Sequence, residues 1–254
     1  VTGYIYPGKT HDDGDVHGIE WFAGILVVKL NDTGEIQWQR MLGKNPSQTS
    51  TKAYSITQAT DGSYGIACST DSIDNFWVVK LDTSGNVVWE NTYGGSGSDF
   101  CGSIIATFDG GFAVAGSTTS NDGNVTNYHG GGDAWIIKLN VEGKIDWQKT
   151  FGGSRYESAN SIIQNQDSSL TVLAYTYSLD GDVTNNPDSG AIWILKIRST
   201  GELEWQNTIL GTKKLYIPVN IISCKRGGYA IGGSYGSYSG SSRFDFWVGK
   251  INNS

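Results

Sequence analysis

The chain has 254 residues, with 35 Gly, 9 Trp and 13 Tyr, and a formal net charge of −7. Its basic residues form no stripe that could hold a phosphate backbone, so we expect no nucleic-acid binding. No apolar run approaches the roughly 18–20 residues that cross a bilayer, so we expect no membrane insertion. Abundant Gly and aromatic residues indicate many short strands joined by turns.

The first predicted element is a strand at "VTGYIY", followed by the polar segment "HDDGDVH" from His11 to His17. The sequence begins without Met and without a signal peptide, which favours a processed or trimmed chain. Cys68, Cys101 and Cys224 are odd in number and lack the spacing of metal ligands. We therefore predict that they are small buried hydrophobic residues in strands.

A single unit recurs along the chain, in register with a lysine that lies three residues after a tryptophan. The lysines are Lys29, Lys80, Lys138, Lys196 and Lys250, spaced by 51 to 58 residues. The tryptophans are Trp77, Trp135, Trp193 and Trp247, and Leu26 takes their place in the first copy. A second tryptophan follows at Trp38, Trp89, Trp147 and Trp205. A residue repeated in this way usually serves the unit and not a unique site.

Each repeat unit is predicted to form up to four antiparallel strands. We name them A to D in the order in which they occur in the third copy. No window of the sequence has a sustained helical period, so we predict an all-β chain. Strand C is almost continuously apolar, as expected for a strand that is packed on both faces. In order, the third copy contains strand A (102–108), a tight turn (109–111), strand B (112–118), a long polar loop (119–133), strand C (134–139), a turn (140–143) and strand D (144–151).

A four-stranded unit of about 50–60 residues with recurring Trp and Gly predicts the blade of a β-propeller. The first copy lacks strand A and the last copy lacks strand D, which gives four A, five B, five C and four D strands. We therefore predict one β-propeller domain over residues 1–254, with about five blade repeats and incomplete end blades. Either the chain is part of a longer propeller, or its first and last blades are irregular.

Three segments resemble the bacterial and archaeal β-propeller repeats called SBBP repeats: "YGGSGSDFCGSIIATFDGGFAVAG", "VTGYIY" and "GGGDAWIIKL". The long loop of the third copy is also similar to the repetitive propellers of large secreted surface proteins. The residues that match that form are Asp122, Gly123, Val125, His129, Gly130, Gly131, Asp133 and Trp135. The resemblance implies secretion or cell-surface display without a shared reaction. The second and fifth copies depart from the loop pattern, so a site built on these loops is not fivefold.

Strand direction predicts where a binding site lies. In an up-down-up-down blade, the B-to-C and D-to-A connections emerge on one face, which we call the long-loop face. The short A-to-B and C-to-D turns emerge on the other face, which we call the short-turn face. Binding residues commonly lie on long loops above a rigid scaffold. The predicted ligand-binding residues are Tyr128, His129, Arg155, Tyr156, Tyr235 and Tyr238.

The long-loop face also carries a repeated acidic pattern with two interpretations. The sequence Asp-Gly-[Asp/Asn]-Val begins at Asp13, Asp122 and Asp180, always in the B-to-C loop. Its oxygens could bind Ca²⁺, and the two His of "HDDGDVH" could instead favour a transition metal. A repeated Asp-Gly is also typical of a turn in which Asp caps backbone amides and Gly takes positive φ. The candidate calcium ligands are Asp13, Asp15, Asp122, Asn124, Asp180 and Asp182.

Catalytic motifs are weak in this sequence. His129 could act as a general base, but no Ser or Cys lies in a nucleophile elbow and no His-x-x-x-His pair occurs. We therefore predict a non-catalytic, secreted or cell-surface binding module, whose ligand is a glycan or a surface protein and whose one candidate cofactor is Ca²⁺. One alternative is an enzyme that acts on polysaccharide through loop carboxylates, which leave no sequence spacing. Another is a structural spacer segment of a large surface protein.

Overall fold

The computed structural model describes residues 2–5, 24–43, 51–69, 74–186, 190–209, 215–236 and 244–251, with only the backbone of 2–5, 215–216, 235–236 and 244. These residues contain 18 strands and no helix, and hence no helix that could span a membrane. The strands are β1 (Thr2–Ile5), β2 (Gly24–Leu30), β3 (Ile36–Leu42), β4 (Lys52–Gln58), β5 (Tyr64–Ser69), β6 (Phe76–Leu81), β7 (Val87–Tyr93), β8 (Asp99–Ala106), β9 (Phe112–Thr118), β10 (Asp133–Leu139), β11 (Ile145–Phe151), β12 (Glu157–Gln164), β13 (Leu170–Thr176), β14 (Ala191–Ile197), β15 (Leu203–Ile209), β16 (Leu215–Ser223), β17 (Tyr229–Gly236) and β18 (Phe244–Ile251).

The strands form five antiparallel sheets, and each sheet is one predicted unit. The first sheet is β1-β2-β3, the next three are β4 to β7, β8 to β11 and β12 to β15, and the last is β16-β17-β18. Lys29 pairs with Trp38 in the first sheet as Lys138 pairs with Trp147 in the third, so the first sheet consists of strands B, C and D. The predicted fold class and the predicted strand count are thus confirmed for the described residues. The fold is a β-propeller, and we number its blades one to five in chain order.

The predicted boundaries hold within one residue for strands B to D of blade three and differ for strand A. β8 begins at Asp99 because this residue still pairs with Thr118 across the sheet. It ends at Ala106 because the amide of Thr107 donates to the carbonyl of Gly111 in the tight turn. Strand A therefore lies two to three residues closer to the long-loop face than predicted.

Each of blades one to four buries one face of its strand C against the next blade. Phe76 and Val78 of blade two are fully buried, and the Phe76 ring lies 4.6 Å from the Trp135 ring of blade three. Ile136 and Trp193 repeat this arrangement between blades three and four. Because side chains alternate along a strand, each Trp faces the preceding blade and the residues on either side of it face the following blade. The first recurring Trp is therefore a packing residue.

The second recurring Trp links strand D to the following blade. Its indole nitrogen donates to a carbonyl in the next C-to-D turn at 2.9–3.0 Å, in the pairs Trp38 with Thr83, Trp89 with Val141, and Trp147 with Ser199. Its ring lies against a glycine of the same turn that has a positive φ, namely Gly85, Gly143 and Gly201. A Cβ atom at these glycines would overlap the indole, so the Trp and the Gly recur together.

The prediction of buried cysteines in strands is confirmed for Cys68 and Cys101 and is wrong for Cys224, which lies in the turn that follows β16. Cys68 and Cys101 are buried in strands, and Cys224 is partly buried. Burial raises the pKa of both buried thiols well above the ordinary value. Thiols that stay protonated and inaccessible behave as small hydrophobic groups, which agrees with a packing role.

Candidate functional site

Each of two D-to-A crossings on the long-loop face closes around one buried acid. Asp99 accepts hydrogen bonds from the Gly95 amide at 2.9 Å, from the Ser120 hydroxyl at 3.0 Å and from the Thr118 hydroxyl. Glu157 occupies the same place one blade later, and its donors are Gly153, Thr176 and Ser178. Both acids are 0% exposed, and burial raises the pKa of each. They hold the crossing in place and cannot contact a ligand.

The Asp-Gly turns fasten each B-to-C loop to the adjacent crossing. Asp122 accepts a hydrogen bond from the Ser96 amide at 2.6 Å, and Asp180 accepts one from the Ser154 amide at 2.8 Å. These bonds lower the pKa of both aspartates. The glycines that follow them have φ of +64° and +66°, as the turn interpretation predicts.

The calcium prediction stays a prediction. Asn124 and Asp182 each accept a hydrogen bond from the first glycine amide of the adjacent crossing, at 3.1 and 3.2 Å. Asp13 and Asp15 lie outside the described residues. Among the residues that are described, no group of three or more His, Cys, Asp or Glu could hold a metal ion.

The end of the blade-three B-to-C loop lies over the crossing that enters blade four. The amide and Nδ1 of His129 lie 2.9 and 2.7 Å from one oxygen of Asp133, and its Nε2 lies 3.7 Å from a carboxylate oxygen of Asp182. The carbonyl of Gly132 accepts a hydrogen bond from the Glu157 amide at 2.7 Å. The segment 127–133, which we call the His129 loop, therefore joins blades three and four.

Three consecutive glycines allow this close approach. Gly130, Gly131 and Gly132 have φ of +122°, +68° and +124°. A Cβ atom on Gly131 would overlap the backbone of Arg155, and one on Gly132 would lie 2.5 Å from the Tyr156 ring. The run "GGG" is thus required by backbone conformation and by contact with the next blade.

We expect Gly131→Ala to destabilise the protein by about 2–3 kcal/mol, because it combines backbone strain with displacement of the His129 loop. Gly34→Ala is the matched control, since Gly34 has a φ of +89° but nothing within 4 Å of its Cβ position. Urea unfolding of both variants measures the difference. Equal destabilisation would mean that the loop does not depend on its contact with Arg155.

Three tyrosines lie side by side where the His129 loop meets blade four. The ring centroids of Tyr156 and Tyr175 are 5.8 Å apart, and those of Tyr175 and Tyr177 are 5.7 Å apart. All three side chains are partly exposed. The register of the two sheets gives the equivalent residues of blade three as Ser98, Ser117 and Thr119. This tyrosine cluster is therefore absent from blade three and does not belong to the repeated packing.

A pair of buried carboxyl groups lies beneath the His129 loop. A Cβ atom on Gly152 would lie 2.5 Å from Glu157 Oε2 and 2.9 Å from Asp133 Oδ1, so both acids approach the same point. Asp133 is 0% exposed, and its Oδ1 has no hydrogen-bond partner among the described residues. Burial raises the pKa of Asp133, and the Asp182 charge adds to this, while the bonds from His129 oppose it.

The structure brings together four of the predicted ligand-binding residues. Tyr128 and His129 belong to the loop that covers Arg155 and Tyr156. Burial raises the pKa of Tyr128, and the Asp133 charge adds to the effect. The side chain of Tyr235 and the whole of Tyr238 lie outside the described residues, and the ligand-binding role of all six residues stays a prediction.

Sequence reasoning missed Tyr175 and Tyr177, because they end the apolar strand segment "LTVLAYTY" and resemble core residues. The signal that could have found them is the contrast with "FAVAGSTT" in the preceding copy.

A concave region lies on the short-turn face, between the turns of blades four and five. It encloses about 520 Å³ and is lined in part by Asn165, Asp167, Lys196, Lys225 and Tyr229. Lys196 lies 3.0 Å from Asp167. Hydrogen bonds from Ser169 and Lys196 hold the pKa of Asp167 at about 2. Since equivalent Lys–Asp pairs recur in blades two and three, this pair belongs to the blade unit.

Several solved structures have a fold similar to that of this chain. A protein of unknown function from Dyadobacter fermentans DSM 18053 aligns with a TM-score of 0.58 and 10% identity over 93% of this chain and 70% of that chain. The WD40 domain of Neurospora crassa Pan2 aligns with a TM-score of 0.47 and 11% sequence identity. The Penicillium chrysogenum α-L-arabinanase complexed with arabinobiose aligns with a TM-score of 0.48 and 13% sequence identity. The Pan2 alignment covers 91% of this chain and 63% of the Pan2 chain. The arabinanase alignment covers 77% of this chain and 61% of the arabinanase chain.

These similarities concern the fold alone, because every identity is far below 25% and two of the three TM-scores are below 0.5. No family model matches the sequence, and no curated protein matches it. A fold of this kind does not determine function, which depends on the side chains of the site.

Proposed function

We propose that this protein is a secreted or cell-surface β-propeller of the SBBP-repeat type whose long-loop face binds a glycan. The observation that carries the proposal is the tyrosine cluster of Tyr156, Tyr175 and Tyr177, which blade three does not share. Aromatic rings with a polar edge present both an apolar face for a sugar ring and a hydrogen-bonding group. Blade-specific side chains on loops above a repeated scaffold are typical of binding surfaces.

The groups around the cluster suit an extended polar ligand. Arg155 and Leu179 are exposed beside it, and the His129 loop forms its border. Glycan sites combine stacking surfaces with a few polar groups that fix orientation. A surface protein is the other ligand class that fits, since Tyr and Arg are also enriched in protein interfaces.

The two remaining alternatives receive less support. Among the described residues, the acids with a raised pKa are Asp99, Asp133 and Glu157, and all three are 0% exposed. A glycosidase needs a general acid of raised pKa that reaches the glycosidic bond, and none of these three acids is accessible to a ligand. A pure spacer needs no blade-specific aromatic cluster, and the cluster therefore favours binding.

A glycan array with the 254-residue chain, run with calcium and with a chelator, tests the proposal. We expect Tyr156→Ala and Tyr177→Ala each to weaken binding about tenfold or more, as for the aromatic anchors of other binding sites. Phe108→Ala is the matched control, because Phe108 is 62% exposed on the short-turn face. The glycan affinity of the Phe108→Ala variant should equal that of the unsubstituted protein.

A blank array in both conditions would refute the glycan ligand and favour the protein partner or the spacer. Binding that is lost equally in the Phe108 variant would move the site off the long-loop face. Loss of binding on chelation alone would support the calcium prediction.

A further inference from the structure

Blade five ends the described fold with an uncovered apolar face. Phe246 and Val248 of β18 are 93% and 84% exposed, and Val219 and Ile222 of β16 are 59% and 58% exposed. Monomeric proteins rarely leave neighbouring large apolar side chains this accessible, and such patches usually mark an interaction surface.

The repeat shows what these positions do elsewhere. Phe246 and Val248 are four and two residues before Lys250, and the residues at the same distances from the other four lysines are 0–1% exposed. Those residues are Ile25 and Val27, Phe76 and Val78, Ala134 and Ile136, and Ile192 and Ile194. In every earlier blade this face is covered by the next blade.

The covering group has the same chemistry at all four formed interfaces. The next blade supplies a tryptophan from its strand C, namely Trp77, Trp135, Trp193 and Trp247. Blade one has Leu26 at this position, and its Leu30 is 42% exposed where the equivalent Leu81 and Leu139 are fully buried. Within the described residues, no strand of blade one packs extensively against blade five. Blade one therefore does not supply the tryptophan that this face receives elsewhere.

We propose that the face of Phe246 and Val248 docks a further blade of this repeat type, whose strand-C tryptophan packs on Phe246. The interface between blades two and three shows the geometry, because Phe76 and Val78 are the same residue types at the same positions, with Trp135 at 4.6 Å from Phe76. The fold already contains four interfaces in which this face of strand C packs on the tryptophan of the next blade. The same contact at blade five identifies another blade as the occupant.

The test extends the chain after Ile251 by a second copy of residues 82–139, which adds a strand D to blade five and strands A, B and C of a new blade. A shorter extension by residues 82–93 supplies strand D alone and controls for pairing along β18. We expect the long extension to raise the unfolding midpoint at least about 5 °C above the short one. Hydrogen exchange of residues 244–251 should slow further at the same time.

The paired substitution Phe246→Asp with Val248→Asp should abolish the gain of the long extension. In the 254-residue chain it should change the midpoint by less than about 2 °C, because both positions are exposed there. An equal gain with and without the Asp residues would overturn the proposal. An extension by residues 140–197 is a second, independent unit, and failure of both units to protect residues 244–251 would also overturn it.

Two other results would assign the face differently and overturn the proposal. If the Asp pair destabilises the 254-residue chain at every protein concentration, blade one covers the face in solution. If the chain sediments as an oligomer and the Asp pair makes it monomeric, a second copy covers the face.

Discussion

Replacing Trp135 with Ala should destabilise the protein by about 3–5 kcal/mol, the largest loss that we expect from a single side chain. Trp135 is fully buried between blades two and three, where it packs on Phe76. Its indole nitrogen also donates to Gln148 at 2.9 Å, so truncation removes a hydrogen bond and leaves a cavity. Guanidinium unfolding followed by far-ultraviolet circular dichroism measures the change.

We attribute this loss of stability to the packing between two blades and not to the removal of any tryptophan side chain. Trp205→Ala is the matched control, because Trp205 is 37% exposed on strand D of blade four. We expect the control to lose about 1 kcal/mol or less. In repeat proteins, stability is approximately a sum of unit and nearest-neighbour interface terms, so the Trp135 variant should also show lower cooperativity of unfolding. A loss of similar size in both variants would contradict a central packing role for strand C.

The sequence predicted the blades because their signal is redundant. Trp and Gly recur in fixed register, and the structure explains why, since the Trp147 ring lies on Gly201 of the following turn. The same redundancy concealed part of the site. Tyr175 and Tyr177 continue an apolar strand, and only the comparison of two sheets in register separates them from core residues.

Contacts between loops of different blades left no trace in the sequence. Asp133 and Glu157 are 24 positions apart and meet only because the His129 loop lies over the next crossing. The exposure of Phe246 could not be predicted either, because "FWVGKI" in blade five has the same pattern as the buried "FWVVKL" of blade two. Burial of a strand face depends on the neighbouring blade, and a local pattern cannot report whether that neighbour is present.

Asp133→Asn should stabilise the protein at neutral pH by about 1–3 kcal/mol, which is the expected cost of a buried carboxylate oxygen without a partner. Asp133 Oδ1 is such an atom, and it approaches Gly152 from the same side as Glu157. The equivalent residue of blade two is Asn75, which approaches Gly94 together with Asp99. An amide in this place can accept from His129 and donate to the neighbouring carboxylate, and it carries no charge, as at Asn75 in blade two.

The pH dependence identifies the cause. Burial raises the pKa of Asp133 above its ordinary value of 3.8, so the folded state binds this proton more tightly than the unfolded state. The ionised carboxyl therefore opposes folding at pH values above its folded pKa, and this cost disappears as the pH falls through the folded pKa toward 3.8. The advantage of the Asn variant should be largest at about pH 8 and should shrink on acidification. His129, Asp182 and Glu157 are the charged or titratable groups that lie near the same carboxyl.

Asp122→Asn provides the control with the opposite sign. The amide of Ser96 lowers the pKa of Asp122, so its ionised form stabilises the folded state above the unfolded pKa. The Asn variant should be the less stable chain at about pH 8, and its deficit should vanish as the pH falls through the folded pKa. Urea unfolding of both variants from about pH 8 down to about pH 2 separates the two cases, because the Asp122 deficit is lost only below its unfolded pKa of 3.8. If Asp133→Asn destabilises the protein at pH 8, the ionised carboxylate is stabilised by His129 by more than its burial costs, and the His129 loop depends on that ion pair.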